Sequence, residues 1–330
     1  MVVEEVRQLV LDGGLFARDR PVVAMFSGGR DSTCLLDVAL ALLGAGSVRA
    51  LHVNYGLRDA AAEEERRCAE VCREMGVELA VVHAGEPPGA PAPAGAAGGP
   101  EHGGAAGNLQ AWAREIRYAA AARLAAERDA LIATGHTAND QVETILYRLA
   151  ASPGRRALLG MAPSDGRLIR PLLAVSREQT AAYCSERGLP WSEDASNEDE
   201  RFARARVRRG LLPELRALHP AAEANVVRTA LLLREETELL DELVERELAG
   251  GRRVAIARLR EMPPALARLV VVRLAEQAAG TYVPQAGERV QEILALGRRG
   301  GRAELHVGGR AGAVIEDGSL TMVKLPPRES

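Results

Sequence analysis

Val22-Val23-Ala24-Met25-Phe26-Ser27-Gly28-Gly29-Arg30-Asp31-Ser32-Thr33-Cys34-Leu35-Leu36 is the stretch that decides the fold. A short apolar strand breaks at two glycines and re-enters as a helix-like run through Asp37-Val38-Ala39-Leu40. Such a turn leaves backbone N–H groups unpaired, and the positive end of the helix dipole points the same way. The result is an anion site. The glycines and the hydroxyls of Ser27 and Ser32 let a polyphosphate come close to the backbone. Asp31 is placed to hold Mg²⁺ against it. Ser27, Gly28, Gly29, Arg30, Asp31 and Ser32 are therefore the candidate phosphate loop.

Working outward, Val48–Asn54, Val77–His83 and Ala130–Thr134 read as further strands. Helical patterns fall at 60–75, 109–128, 140–150 and 176–188. Strands alternating with helices of this length predict an α/β fold, a parallel sheet with helices on both faces. Ligands of such sheets lie beyond the carboxyl ends of the strands. Three clusters fall there: 27–32, the HVNYGLR run from His52 to Arg58, and the TGHTAND run from Thr134 to Asp140. In the last, a histidine and a carboxylate meet at a strand's end, which marks His136 and Asp140 as candidate functional groups. Asn139 or Asp140 is also the expected N-cap of the helix that follows.

The chain has 330 residues, 47% of them apolar, 26% charged and 3% aromatic, with a net charge of −3. That is the profile of a globular protein long enough for two domains. The expected division is 1–218 and 219–330, the second part smaller, mostly helical (221–249, 263–279, 286–297) and ending in a β-hairpin. Residues 84–107 are Ala, Gly and Pro apart from Glu86, Glu101 and His102, so they read as a low-complexity insertion that cannot build a core. No stretch has the apolar length of a membrane span, and the N-terminus lacks a basic-then-apolar signal pattern, so the expected compartment is the cytoplasm.

Lys324 is the only lysine. This excludes a GxxxxGK[ST] phosphate loop, covalent nucleotidylation of an internal lysine and a Schiff base in the core. The loop has to work through amides, hydroxyls, arginine and metal. Four cysteines do not make a disulfide framework. Cys68 and Cys72 share a helix face, but with no CxxC and no histidine cluster the expectation is buried thiols. Charge is locally uneven: residues 193–200 carry five acids, and 201–216 carry six arginines against Glu214 alone. A one-sided arginine run suits a phosphate backbone.

SGGRDS, HVNYGLR, the ARxxRY of Arg114 to Tyr118, TGHTANDQVETIL, RPLL at 170–173 and WSEDASNEDERFARARVR occur in one order across residues 22–208. Together they resemble the N-type ATP pyrophosphatases of the PP-loop family, and within them the tRNA(Ile)-lysidine synthetases. The resemblance implies an adenine nucleotide alpha hydrolase-like fold, ATP as substrate with Mg²⁺, and activation of the wobble cytidine of a tRNA(Ile) bearing a CAU anticodon. Free L-lysine then displaces AMP, changing codon reading from AUG to AUA. It implies catalytic roles for Asp31, His136 and Asp140. His52, Asn54, Arg58, Arg114 and Asn139 become adenine-side or substrate residues, and Arg204, Arg206 and Arg208 tRNA contacts. The second domain becomes a tRNA-engaging one, and its apolar helix faces give a homodimer as the expectation. The family's pattern has two acids where this chain has Asn139-Asp140, an asparagine where it has Ala205, and often a histidine at Tyr55. Two rival readings remain: a thiolase on the same fold, which wants paired cysteines, and an inactive ATP- or RNA-binding module.

Overall fold

The computed structural model describes residues 1–17, 19–57, 60–85, 105–151, 154–192 and 206–326. Arg58, Arg204 and most of the 84–107 stretch lie outside the described residues. Residues 105–107, placed with that stretch above, open a long helix instead.

By internal contacts the chain forms two compact units, Met1–Thr229 and Ala230–Ser330. In chain order the first contains α1 (Val2–Asp12), β1 (Val22–Met25), α2 (Arg30–Leu43), β2 (Val48–Asn54), α3 (Ala61–Glu74), β3 (Glu78–His83), α4 (Ala105–Glu127), β4 (Leu131–Ala133), α5 (Ala138–Ala151), α6 (Arg155–Leu158), β5 (Ser164–Asp165), β6 (Leu168–Ile169), α7 (Arg177–Glu186) and α8 (Leu212–Leu218). Its sheet runs β3-β2-β1-β4-β6-β5. The first five strands in that order are parallel, and β5 joins the edge antiparallel.

All four residues of β1 are buried, as a strand covered on both faces requires. Their alternation sorts the core. Val22 packs with α1 and α7 residues such as Val6 and Tyr183, and Ala24 with Leu36, Cys68 and Cys72. Val23 and Met25 face the other way, toward Ala121, Leu124 and Ala125 of α4. From β1 the chain steps outward to β2 and β3 and then returns to β4 on β1's other side. The crevice where the order reverses therefore opens between the carboxyl ends of β1 and β4.

The long helix α9 (Ala222–Leu248) begins in the first unit. The second unit holds β7 (Arg253–Ala255), α10 (Ile256–Glu261), α11 (Pro264–Ala279), α12 (Val290–Arg299), β8 (Ala303–Gly308), β9 (Ala311–Glu316) and β10 (Ser319–Lys324). The expected terminal hairpin is in fact part of a four-stranded antiparallel sheet, β7-β10-β9-β8. Three residues of β7, 48 or more positions before the rest, complete it by pairing with Ser319–Thr321. Its apolar face closes on a core that includes Val270, Leu274, Ile293 and Leu320.

Candidate functional site

At the end of β1, Gly28 has φ +76, a left-handed conformation that glycine adopts without steric cost. A Cβ there would stand 2.9 Å from Cys68 Sγ. Gly29 then caps α2 in extended conformation without a side-chain cap bond, leaving the first-turn amides open. The hydroxyls fix the loop: Ser32 Oγ donates to the Gly29 carbonyl at 2.8 Å, accepts from Ser27 N–H at 3.2 Å and lies 3.1 Å from Ser27 Oγ. Ser192 returns to this turn, its N–H donating to the Gly28 carbonyl at 3.0 Å.

A cavity of about 630 Å³ opens over the loop. It is lined by Ser27, Gly29, Arg30, Asp31, Ser32, Gly135 and His136 and by the apolar Met25, Phe26, Leu51 and Val53. Arg117, Tyr118, Trp191, Arg208 and Arg209 complete the wall. The arrangement offers an anion cradle beside an apolar slot, which is what a nucleotide presents: charged tail and flat base.

Gly135 brings the β4 loop against the phosphate loop. A Cβ on it would lie 3.1 Å from Asp31 C and O and 3.2 Å from Ser32 N. Next to it the His136 ring lies with Nδ1 2.8 Å from Thr134 Oγ1. Burial lowers its pKa to about 4; Asp140 opposes this, while Arg170, Arg117 and Arg114 reinforce it. His136 is therefore neutral at neutral pH, inside a positive environment that favours an anionic ligand.

His52 is buried and lines the cavity, with Nδ1 3.1 Å from the Phe26 carbonyl. Asn54 does not line it. Its amide donates to Glu65 at 2.7 Å and accepts from Gly56 N–H at 2.9 Å, shaping the turn after β2. Nor does Arg114, whose guanidinium stacks 4.5 Å above the Tyr118 ring. Tyr118 itself and Arg117 form the wall there. Arg206 is exposed.

α5 starts at Ala138, so Asn139 and Asp140 fall in its first turn and neither is the N-cap. Asp140 reaches back instead, accepting from Thr137 N–H at 2.8 Å and Thr137 Oγ1 at 2.9 Å. Its other oxygen takes a hydrogen bond from Arg177 Nη2. Burial pushes the Asp140 carboxyl up, but the Arg177 charge and the Thr137 bonds more than offset it and hold it below the ordinary carboxylate range. Asn139 is buried between two partners: its carbonyl accepts from Arg177 N–H at 2.8 Å and its amide donates to Glu223 at 2.7 Å.

Arg177 and Thr180, which the sequence does not single out, hold the site together with Glu143. Arg177 also reaches Glu143 at 3.0 Å and lies 3.8 Å from Asp31. Glu143, 2% exposed, accepts a second, two-pronged contact from Arg208 at 2.7 and 3.1 Å. Thr180, one turn along α7, donates to Asp31 Oδ1 at 2.6 Å. The readable signal for this turn is Ser176-x-x-Gln179, a capping box whose two bonds both form.

A parallel sheet with a glycine-rich anion loop at its switch point defines a nucleotide-binding α/β protein, and the model of the PP-loop domain family matches residues 2–215. The fold is shared with the U34-tRNA thiolase NcsA from Methanococcus maripaludis, whose structure carries a [4Fe-4S] cluster. That likeness has a TM-score of 0.55 at 18% identity over 71% of this chain and 79% of that one. The tRNA(Ile)-lysidine synthase of Mycolicibacterium paratuberculosis is 39% identical over 243 residues, covering 72% of this chain and 68% of that protein. The tRNA(Ile)-lysidine synthase of Pseudomonas fluorescens (strain Pf0-1) is 39% identical over 230 residues, covering 68% of this chain and 48% of its own length. The chain belongs to the tRNA(Ile)-lysidine synthase family. The chain spans about half the length of the Pseudomonas relatives it matches.

Proposed function

We propose that this chain is a ligase that joins free L-lysine to C2 of the wobble cytidine of tRNA(Ile) with a CAU anticodon, converting ATP to AMP and diphosphate. The observation that supports it most is the one cavity lined together by the phosphate loop, by apolar residues and by Arg30, Arg117, Arg208 and Arg209. In the first step the cytidine O2 attacks the α-phosphorus, an O–P bond forms and diphosphate leaves. The amide-like oxygen, a poor leaving group, becomes a good one. In the second step the lysine ε-amine attacks C2, the C–O bond breaks and AMP departs.

The residues divide the work. The loop amides and the hydroxyls of Ser27 and Ser32 receive the departing diphosphate. Asp31 fits Mg²⁺: it is a hard oxygen donor on the cavity wall beside the phosphate cradle, and Mg²⁺ takes one or two carboxylates plus phosphates. An ion held there by Asp31 would supply charge neutralisation at the phosphates. His136, neutral, offers a hydrogen bond without a second positive charge. The lysine ammonium, with a pKa near 10.4, has to lose a proton before it attacks, and the ionised Asp140 is the proposed acceptor. The arginine-rich stretch containing Arg204, Arg206 and Arg208, together with residues 219–330, is proposed to hold the RNA. Such chemistry belongs to the cytoplasm, and among the described residues no helix is long and apolar enough to cross a membrane.

The test incubates the chain with ATP, labelled lysine and tRNA transcripts with and without a CAU anticodon. Label in the CAU transcript with matching AMP supports the proposal; ATP bound but neither AMP nor label formed leaves a binding module. The thiolase reading finds little here. All four cysteines are buried, none lines the cavity, and among the described residues no three His, Cys, Asp or Glu groups gather as a metal set.

A further inference from the structure

Arg177 stands at the first position of α7, where a positive charge faces the positive end of the helix dipole. A sequence that breaks a local rule this way does so for a gain elsewhere. Here the gain is visible. Its three guanidinium nitrogens face three carboxylates from two other elements: Nη2 that of Asp140, Nη1 that of Glu143 at 3.0 Å, and Nε that of Asp31 at 3.8 Å. Its backbone has little freedom, because the Ser176–Gln179 capping box fixes the turn and Asn139 accepts its N–H. Arg177 does not line the nucleotide cavity.

We infer that Arg177 is the positioning residue of the lysine-transfer step: braced by the buried Glu143, it holds Asp140 to receive the amine and ties both acids to the phosphate loop through Asp31. This rests on the lysine-transfer reading above. Without a cation between them, two carboxylates from one helix face would repel each other and turn apart. A planar guanidinium spans both at once; an ammonium, a single point charge, cannot. The two acid contacts are the short ones, and the Asp31 contact is the long one. Loss of Arg177 therefore falls on the amine more than on the nucleotide.

The experiment compares Arg177→Gln and Arg177→Lys with the unaltered full chain in three measurements: ATP affinity by calorimetry, KM and kcat for lysine with the tRNA substrate, and Tm. Arg177→Gln is expected to lose about 100-fold in kcat/KM for lysine, the cost of a misplaced reacting group, with ATP affinity held within about twofold. Added guanidinium ion should restore part of that loss, and Arg177→Lys should fall between the two. Equal losses in ATP affinity and lysine use, with a lowered Tm and no rescue, would make Arg177 merely structural and overturn the inference. Unaltered lysine kinetics would overturn it too. Should Arg177→Gln not fold, Arg177→Lys decides: an unchanged KM for lysine refutes the spanning role. An unaltered chain that transfers no lysine at all removes the underlying reading, which is a separate outcome from active chains that ignore residue 177.

Discussion

Gly135 and Asp31 meet backbone to backbone: a methyl group on residue 135 would lie 3.1 Å from both the carbonyl carbon and the oxygen of Asp31. The loops after β1 and β4 thus set each other's position, with no flexible side chain between them to yield. Gly135→Ala is expected to push the phosphate loop out of place and weaken ATP binding by about tenfold or more, since displacements of this kind act directly on ligand geometry. Titration calorimetry with ATP checks this; unchanged affinity would show that the loops adapt.

Asn139 donates to Glu223 and accepts from Arg177 N–H, so both ends of its amide are used. Asn139→Asp removes a donor and sets a carboxylate against that of Glu223. The expected cost is about 1–3 kcal/mol in unfolding free energy. Adding Glu223→Gln supplies a donor again and should return most of it, a coupling that denaturant unfolding of the four variants in a double-mutant cycle measures.

His136 makes stability depend on pH. Its folded-state pKa, about 4, lies below the ordinary 6.5, because burial disfavours the charged ring. The unfolded chain therefore binds the extra proton first. The stability due to the neutral ring is fully present above pH 6.5 and is lost as pH falls through about 4. For a ring partly open to the cavity the loss is of order 2 kcal/mol. His136→Gln should flatten the unfolding free energy across that window; a curve parallel to that of the unaltered chain would contradict the assignment.

The four thiols are all buried. Burial is the main cause that pushes those of Cys68 and Cys72 up to about 12, and the neighbouring Cys184, ahead of burial, raises that of Cys34. Thiols in this state are poor nucleophiles. The native chain is expected to resist a thiol reagent at pH 8 and to show four reactive groups only when unfolded. Lysine transfer should survive the treatment, whereas sulfur-transfer chemistry would not. Rapid labelling of one thiol with loss of activity would revive the thiolase reading.

Much of this was legible in the sequence because it depends on local rules. Val22–Phe26 followed by two glycines and a helix announces its own turn, and β2, β3 and β4 fall where apolar runs were read. β5 and β6 escaped because two residues carry no periodicity. β7 escaped because its partner lies more than sixty residues away, so only pairing with Ser319–Thr321 makes Arg253–Ala255 a strand. The site divides along the same line. Ser27, Gly29, Arg30, Asp31, Ser32 and His136 line the cavity, but Arg177, Thr180 and Glu143 acquire meaning only through long-range contacts. Asn54 and Arg114, which sit inside motifs, turn to Glu65 and to Tyr118. Position in a motif says that a residue belongs to the loop; it does not say which way the side chain points.

β1 carries hydrogen-bonded neighbours on both edges and apolar cover on both faces. Amides in that situation exchange with deuterium only through the largest openings a domain makes. The strand that carries the nucleotide turn should thus be the last part of its unit to become labelled, well after the two-residue strands at the sheet's far edge. Heat or denaturant that frays the periphery leaves the anchoring residues in register, and occupancy by nucleotide should register as slowed labelling of the turn following Phe26 while β1 itself stays silent.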